Sequence, residues 1–322
     1  MAKRICLISG SANNELSKEI SEYLKIPLTP AEIKKFNDGE SYVHIEKSVR
    51  GANVFVIQPT SPDVNDHVME LLIMIDALKR ASAKEITAVI PYYGYSRQDR
   101  KSTAREPISA KLVADLLEKA GVNRVVTFDL HVDQIQGFFN VPEDNLEALP
   151  LIAEYIIDKK LNDIVIVAPD VGGTKRARRL AQLLEVPLAI IDKRRPKHGE
   201  VEVMNIIGDV DGKTVLIVDD IIDSAGTISS AAKALKEKGA KEAYICATHG
   251  LLTGPAIERL SDPDIKEVIL TNTIKLPKDK MIDKIKVISV APLLAEGIKR
   301  IYEGEPMGVL LNDLYSRVSE KR

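Results

Sequence analysis

Short apolar runs rich in β-branched residues alternate with longer, helix-like segments along the whole chain. An unbroken apolar run of four to eight residues is typical of a strand that is buried on both faces of a sheet. Because strands and helices alternate from end to end, the pattern predicts an α/β fold in which helices flank a mainly parallel sheet. The predicted strands include residues 4–8, 54–57, 86–90, 124–130, 164–167, 188–191 and 215–218.

The stretch 213–228, KTVLIVDDIIDSAGTI, joins one of these strands to a turn of small and acidic residues. Its β-branched run, 215–218, predicts a central strand that stops at two carboxylates, and a helix is predicted at 228–238. Backbone N–H groups at the start of that helix can face an anion, because no bulky side chain screens them. The residues that lead into the helix are Ser224, Ala225, Gly226 and Thr227.

Three carboxylates restrict the kind of ligand that this stretch can bind. Asp219, Asp220 and Asp223 would repel a bare phosphate. They fit a phosphate site if they hold sugar hydroxyls or a hydrated Mg²⁺ beside the anion. The alternative is a strand, an acidic turn and a helix with an ordinary N-cap, without any ligand.

The two halves of the chain repeat each other. Residues 20–28, ISEYLKIPL, resemble residues 180–188, LAQLLEVPL, and ALKRASAKE from Ala77 resembles ALKEKGAKE from Ala234. This repetition predicts an internal duplication and two similar domains, residues 1–146 and 147–322, with a C-terminal segment that packs back on the first domain. The period is too long for a solenoid repeat.

The copies differ where a ligand would bind. Residues 58–63, QPTSPD, replace the acidic and small residues of 219–227, so we infer that the first copy has lost its phosphate loop. A further loop in the second copy, PDVGGTK at 169–175, corresponds to residues 9–12 and places paired glycines before a basic helix. Such glycines allow close approach of an anion.

Composition excludes several classes of partner. With 45 Lys and Arg against 47 Asp and Glu, the net charge is −2, and no global field favours nucleic acid or an anionic membrane. The chain has no Trp, and Cys6 and Cys246 lie in apolar runs without a metal-ligand spacing. We expect a reduced, cytoplasmic protein without a leader peptide or a membrane span, which requires about 18 apolar residues.

Several other polar residues are candidates for chemistry, although the chain has neither a G-x-x-x-x-G-K-[ST] nor a G-x-G-x-x-G motif. His131 follows the predicted strand 124–130, at the edge where α/β proteins place ligands. The basic run 192–198 can neutralise a polyphosphate, and Arg97 can stack on a purine. The alternatives are a structural role for His131 and a solvated loop or a partner patch for 192–198, and the neighbouring Tyr92 and Tyr93 are expected to be packing residues.

Seven motifs, in order and in register, resemble those of one family, the ribose-phosphate pyrophosphokinases of the phosphate-activated class. They are FNDGE, YSRQDRK, DLHVDQIQGFF, PDVGG, DKRRP, EVMNIIG and VDDIIDSAGT. The resemblance covers nearly the whole chain and implies two domains of the type I phosphoribosyltransferase fold. It implies transfer of the diphosphoryl group of Mg·ATP to the C1 hydroxyl of ribose 5-phosphate, giving 5-phosphoribosyl 1-diphosphate and AMP for nucleotide, histidine and tryptophan biosynthesis.

The resemblance also implies roles for individual residues. On the acceptor side, Asp219 and Asp220 would hold the ribose hydroxyls and their Mg²⁺, and Arg195 would contact ribose 5-phosphate and, with Lys193, stabilise the transition state. The 5-phosphate would lie in a loop made of Asp223, Ser224, Ala225, Gly226 and Thr227.

On the ATP side the family pattern matches further positions. His131 and Asp170 would be metal-linked, and Arg97 and Gln98 would contact the nucleotide. Residues of a neighbouring subunit would complete the ATP site, which implies a homo-oligomer, commonly a hexamer in this family. They are Phe36, Asp38, Gly39 and Glu40.

Two segments depart from the family pattern, at 102–105 and at 305–311. The second lacks the serine hydroxyls that bind activating phosphate in relatives, so we expect weak or absent phosphate activation through that segment. The alternatives to a synthase are a phosphoribosyltransferase, which shares the loop 219–227, and a silent regulatory subunit. The DLH and DKRRP motifs disfavour the first, and intact His131, Asp170, Lys193 and Asp219 disfavour the second.

Overall fold

A computed structural model describes residues 4–194 and 203–322. The chain divides into two compact units. Unit 1 comprises residues 1–147, 273–275 and 289–311, and unit 2 comprises residues 148–272, 276–288 and 312–322.

Unit 1 is built on a five-stranded parallel sheet within residues 4–147, ordered β1-β4-β5-β6-β7. A separate antiparallel hairpin, β2–β3, carries the FNDGE turn at its tip. The strands are β1 Ile5–Ser9, β2 Ala31–Lys35, β3 Ser41–Ile45, β4 Asn53–Ile57, β5 Glu85–Ile90, β6 Arg124–Phe128 and β7 Glu143–Leu146, and the helices are α1 Asn14–Leu24, α2 Val64–Arg80 and α3 Ser109–Ala120.

Unit 2 repeats this plan in residues 148–194 and 203–288. Its seven-stranded sheet is ordered β10-β9-β8-β11-β12-β13-β14 and is parallel except for the β9–β10 pair. The strands are β8 Ile164–Ala168, β9 Leu188–Arg194, β10 Val203–Ile207, β11 Thr214–Ile222, β12 Glu242–Gly250, β13 Ile265–Thr271 and β14 Ile285–Ile288, and the helices are α4 Leu149–Lys159, α5 Thr174–Leu184, α6 Gly226–Glu237 and α7 Ala256–Leu260.

Two further helices follow β14, α8 Ala291–Glu303 and α9 Met307–Lys321. Helix α8 belongs to unit 1, where it packs against α1. Ser289, just before α8, donates a hydrogen bond from its hydroxyl to the carboxylate of Glu19 on α1.

The predicted α/β fold with two similar domains is confirmed, because the strand orders of the two units correspond. β4 lies between β1 and β5 in unit 1, as β11 lies between β8 and β12 in unit 2. Each sheet is covered by a buried apolar core, which in unit 2 includes Val215 and Ile217 of β11 at 0% exposure. Burying an aliphatic side chain of this size stabilises a fold by about 1.5–3 kcal/mol.

The predicted central strand is confirmed, but its predicted end is wrong. β11 continues to Ile222, so Asp219 and Asp220 lie within the strand. The reason is the length of its neighbours: β12 pairs with β11 as far as Ile222↔Gly250, whereas β8 pairs only as far as Ile217↔Val167. Asp219 and Asp220 therefore lie in the part of β11 that is flanked by β12 on one side and extends beyond its pairing with β8 on the other.

Two absences concern the described residues alone. Within 4–194 and 203–322, no helix is long and apolar enough to cross a membrane. Cys6 and Cys246 are both buried and free, as their apolar surroundings predict.

Candidate active site

The carboxylates of β11 form an ion pair with a helix that follows the neighbouring strand. Nη1 of Arg176, in the first turn of α5, lies 3.1 Å from Oδ1 of Asp220 and 3.9 Å from Oδ1 of Asp219. Asp220 is 5% exposed, and 19% of the Arg176 side chain is exposed. A carboxylate that is removed from water is destabilised unless charged or hydrogen-bonding partners replace the water, and Arg176 supplies a charged partner here.

Burial and mutual repulsion act together on the two acids. Burial, and next the negative charge of Asp220, raise the pKa of Asp219 to about 8, while the nearby Arg176 guanidinium opposes the rise. Two adjacent carboxylates in a poorly solvated position favour a cation or a hydroxyl donor that relieves the repulsion. Proteins commonly bind Mg²⁺ through one or two carboxylates, with substrate phosphates as further ligands of the ion, so the donor set fits Mg²⁺.

The small residues after β11 form the start of α6. The helix begins at Gly226, two residues before the predicted start, and Ala225 takes a left-handed conformation with φ +58° as its N-cap. Ser229 N donates the first intrahelical bond, to Ala225 O at 3.0 Å, so the N–H groups of residues 226–228 precede the helical ladder. Ala225 makes no side-chain hydrogen bond to the helix start, so these N–H donors are not capped by it and can face an anion.

Two side chains that the sequence interpretation missed hold this loop in shape. Arg259 of α7 donates from Nη1 to Ser224 O at 2.8 Å, and a Cβ on Gly226 would lie 3.2 Å from the same Nη1. The Thr253 hydroxyl donates to the Asp223 carboxylate, and Thr253 N donates to Asp223 O at 3.0 Å. Both contacts join segments about 30 residues apart along the chain, so no local motif indicates them.

The second loop of unit 2 lies between β8 and α5. Gly173 N donates to Oδ1 of Asp170 at 2.9 Å, so Asp170 closes the loop at the start of α5. Among the described residues, the buried hydroxyl oxygen of Thr174 has no hydrogen-bond partner. Arg176 lies two residues after Thr174 in the same turn of α5, so this turn also supplies the cation that pairs with the β11 carboxylates.

The ATP-side candidates of unit 1 lie on turns. His131 is half-buried in the turn after β6. Asp129, at the start of this turn, has a positive φ of +40°. Arg97 and Gln98 are exposed, and the Gln98 side chain accepts a hydrogen bond from the Ser109 hydroxyl at 2.6 Å.

The remaining unit 1 candidates share one exposed turn, at the tip of the β2–β3 hairpin. The ring of Phe36 packs edge-on against Tyr42 at 5.6 Å and remains 49% exposed. The turn places Gly39 at φ +95° and lets Glu40 N donate to Oδ1 of Asp38 at 3.1 Å.

The structure gives a partial account of the predicted catalytic and metal residues. Lys193 lies on β9, where its backbone pairs with Met204, and Arg195 lies outside the described residues. Within 4–194 and 203–322, no group of three or more His, Cys, Asp or Glu side chains is placed to hold a metal by itself. Asp219 and Asp220 are adjacent on β11, and His131 and Asp170 are assigned to units 1 and 2 respectively.

Comparison with known proteins identifies the family. Residues 5–121 match the N-terminal domain of ribose phosphate pyrophosphokinase, and residues 195–312 match the phosphoribosyl synthetase-associated domain. Ribose-phosphate pyrophosphokinases of Caldanaerobacter subterraneus subsp. tengcongensis and Bacillus subtilis are 61% identical over 299 residues and 54% identical over 310 residues. These alignments cover 92% and 96% of this chain and 95% and 98% of the relatives.

A solved structure agrees. The phosphoribosylpyrophosphate synthetase of Mycobacterium smegmatis superposes with a TM-score of 0.90 at 45% identity, covering 94% of this chain and 100% of that one. The resemblance seen in the motifs is thereby confirmed over almost the whole length. On these grounds the chain belongs to the ribose-phosphate pyrophosphokinases, a family of diphosphokinases within the transferases.

Proposed function

We propose that this protein transfers the β,γ-diphosphoryl group of ATP to the C1 hydroxyl of ribose 5-phosphate, giving 5-phosphoribosyl 1-diphosphate and AMP, a product that feeds nucleotide, histidine and tryptophan biosynthesis. The observation that carries the proposal is the succession on β11 and α6: two adjacent carboxylates, then a helix start without a side-chain cap. This succession matches an acceptor that carries hydroxyls at one end and a phosphate at the other.

The acceptor would bind to unit 2. The N–H groups of residues 226–228 and the hydroxyls of Ser224 and Thr227 donate to the 5-phosphate, where the helix dipole adds a favourable interaction. Asp219 and Asp220 accept hydrogen bonds from the ribose hydroxyls. Because the protein does little covalent chemistry in phosphoryl transfer, its main contribution on this side is to fix the C1 hydroxyl oxygen in line with the β-phosphorus and the departing oxygen of AMP.

Mg²⁺ is the proposed cofactor, and Asp219 and Asp220 fit it on the acceptor side. When bound, the ion supplies positive charge to the phosphate oxygens. His131 and Asp170 are the proposed metal-linked residues of the ATP side.

The donor side rests on the family pattern. Arg97 and Gln98 are proposed to contact ATP within one subunit, and the exposed FNDGE turn is proposed to reach the ATP of a neighbouring subunit in a homo-oligomer, with a hexamer as the expected form. Its large exposed ring, Phe36, is consistent with a surface that meets a second chain. Lys193 and Arg195 are proposed to stabilise the charge that develops during transfer.

The decisive experiment measures AMP by chromatography after incubation with Mg²⁺ and ATP, with and without ribose 5-phosphate. We expect AMP to form only when ribose 5-phosphate is present, together with an equal amount of 5-phosphoribosyl 1-diphosphate. A phosphoribosyltransferase would instead consume added 5-phosphoribosyl 1-diphosphate in the presence of a base. Absence of AMP under all conditions would favour the silent subunit over the proposed activity.

A further inference from the structure

A buried carboxylate joins two loops of unit 1 that would otherwise be open. Ser11, in the loop between β1 and α1, donates its N–H to Oε1 of Glu70 at 2.7 Å and its hydroxyl to Oε2 at 2.6 Å. Gln58 donates from Nε2 to the same Oε1 at 2.7 Å. The Oε1 atom of Gln58 accepts a hydrogen bond from Ala12 N at 3.1 Å. Both oxygens of the carboxylate are therefore bound by neutral donors.

The two side chains at the centre of the cluster are buried, although Ser11 itself is exposed. Glu70 is 6% exposed and Gln58 is 0% exposed. Gly10 allows this arrangement, since a Cβ at that position would lie 2.2 Å from Oε1 of Gln58. A backbone N–H and a hydroxyl that converge on a buried anion, one turn before a helix, are the donors that proteins offer to an oxyanion ligand.

In the alignment of the two copies, these residues correspond to the proposed acceptor site of unit 2. Gln58 and Asp219 are 161 residues apart, which is also the separation between the starts of the corresponding strands β4 and β11. When α2 is aligned with α6, Glu70 corresponds to Thr227, 157 residues later. The β1–α1 loop corresponds to the β8–α5 loop. In unit 1, Gln58 and Glu70 thus occupy the positions of Asp219 and of the proposed phosphate loop, and both side chains bind the β1–α1 loop.

We propose that the β1–α1 loop of unit 1 is an oxyanion-binding site that is permanently occupied by the carboxylate of Glu70. The side chain takes the place of a ligand, and its removal leaves a site for a small carboxylate. This site is independent of the transfer reaction, because it concerns the copy that has lost its phosphate loop and requires neither substrate.

The test is rescue of Glu70→Ala in the full chain by sodium formate, the smallest carboxylate, against sodium chloride at equal ionic strength. We expect the variant to melt below the wild type in chloride and to recover in a saturable way in formate. The recovery should be about 2–4 °C when formate is at about ten times its dissociation constant. Wild type should show no difference between the two salts.

Two variants serve as controls. Glu70→Gln fills the same volume without the charge, so formate should not raise its melting temperature. Glu118→Ala removes a carboxylate that also accepts backbone and side-chain N–H groups, from Asn140, but at a solvent-exposed position, so water replaces it and formate has no effect. Equal responses of Glu70→Ala and Glu118→Ala to formate would overturn the proposal.

If Glu70→Ala does not purify as a folded protein, the same comparison is made on the yield of refolding from urea. A higher yield in formate than in chloride, for this variant and not for wild type, supports the occupied site. An equal yield in the two salts contradicts it. Neither readout depends on AMP formation, so the result is separable from that of the activity assay.

Discussion

Arg176 and Asp220 form a salt bridge, 3.1 Å from Nη1 to Oδ1, between the first turn of α5 and the carboxyl-terminal part of β11. The pairing of β8 with β11 stops at Ile217, five residues before β11 ends, and this lets the helix after β8 reach the acids of β11. The salt bridge places a positive charge beside two carboxylates whose ionised form is destabilised by burial and by their mutual repulsion. The Arg176 guanidinium therefore acts against the rise in the pKa of Asp219 and offsets part of the destabilisation.

Removing this cation should destabilise the fold. Breaking a buried ion pair by deleting one partner costs about 3–5 kcal/mol, and we expect about 2–3 kcal/mol for Arg176→Ala because a fifth of its side chain is in solvent. Urea titration measures the loss. Arg178→Ala, on the exposed face of the same helix, is the matched control and should change the free energy of unfolding by less than about 0.5 kcal/mol. Similar losses for the two variants would show that the pair contributes little.

Gly226→Ala should separate binding from stability. A Cβ at the start of α6 would lie 3.2 Å from Nη1 of Arg259, which holds the loop through Ser224 O, and it would crowd an anion at the helix terminus. We expect KM for ribose 5-phosphate to rise about tenfold, equivalent to about 1.4 kcal/mol, with the free energy of unfolding unchanged within about 1 kcal/mol.

Ser230→Ala is the control for Gly226→Ala, because it improves helix propensity on the exposed face of the same helix. Its KM for ribose 5-phosphate should equal that of the wild type. An unaltered KM in Gly226→Ala would count against a phosphate site at this helix start.

The sequence predicted what depends on local pattern and missed what depends on pairing. The unbroken run 215–218 identified the central strand of unit 2, and the small residues before α6 identified its open N-terminus. The end of β11 was placed four residues early, because its extension depends on the length of β12. Arg176 and Arg259 were missed for the same reason: each acts on residues more than 30 positions away.

Lys193→Ala should act on the transition state. Lys193 lies on β9, in the DKRRP motif, and a cation that meets developing charge contributes to kcat rather than to ground-state binding. We expect kcat for AMP formation to fall by at least about 100-fold with KM values within about threefold of the wild type. Lys266→Ala, on β13 and exposed, should leave both constants unchanged. A rise in KM at constant kcat would rule out the assigned role.

Stability should fall as the pH rises through neutrality, because of a carboxyl group in unit 1. Glu143 lies on β7, where its Oε1 accepts a hydrogen bond from the Thr127 hydroxyl. Its Oε2 is buried without a hydrogen-bond partner among the described residues. Burial first, and the charge of Asp144 in addition, raise the pKa of Glu143 from its ordinary value of 4.5 to about 7, against the lowering effect of Thr127. The folded protein therefore holds this proton more tightly than the unfolded chain does.

A carboxyl group with a raised folded-state pKa contributes stability that is fully present below pH 4.5 and is lost as the pH rises through 7. Glu143→Gln removes the titration and keeps the shape of the side chain. We expect its free energy of unfolding, relative to the wild type, to increase by about 2–3 kcal/mol between pH 5 and pH 8. Urea titrations at the two pH values measure this change. Glu85→Gln, at the exposed start of β5 in the same sheet, should follow the pH dependence of the wild type. If Glu143→Gln also follows it, the group is ionised in the folded protein at both pH values, and the buried Oε2 carries no proton.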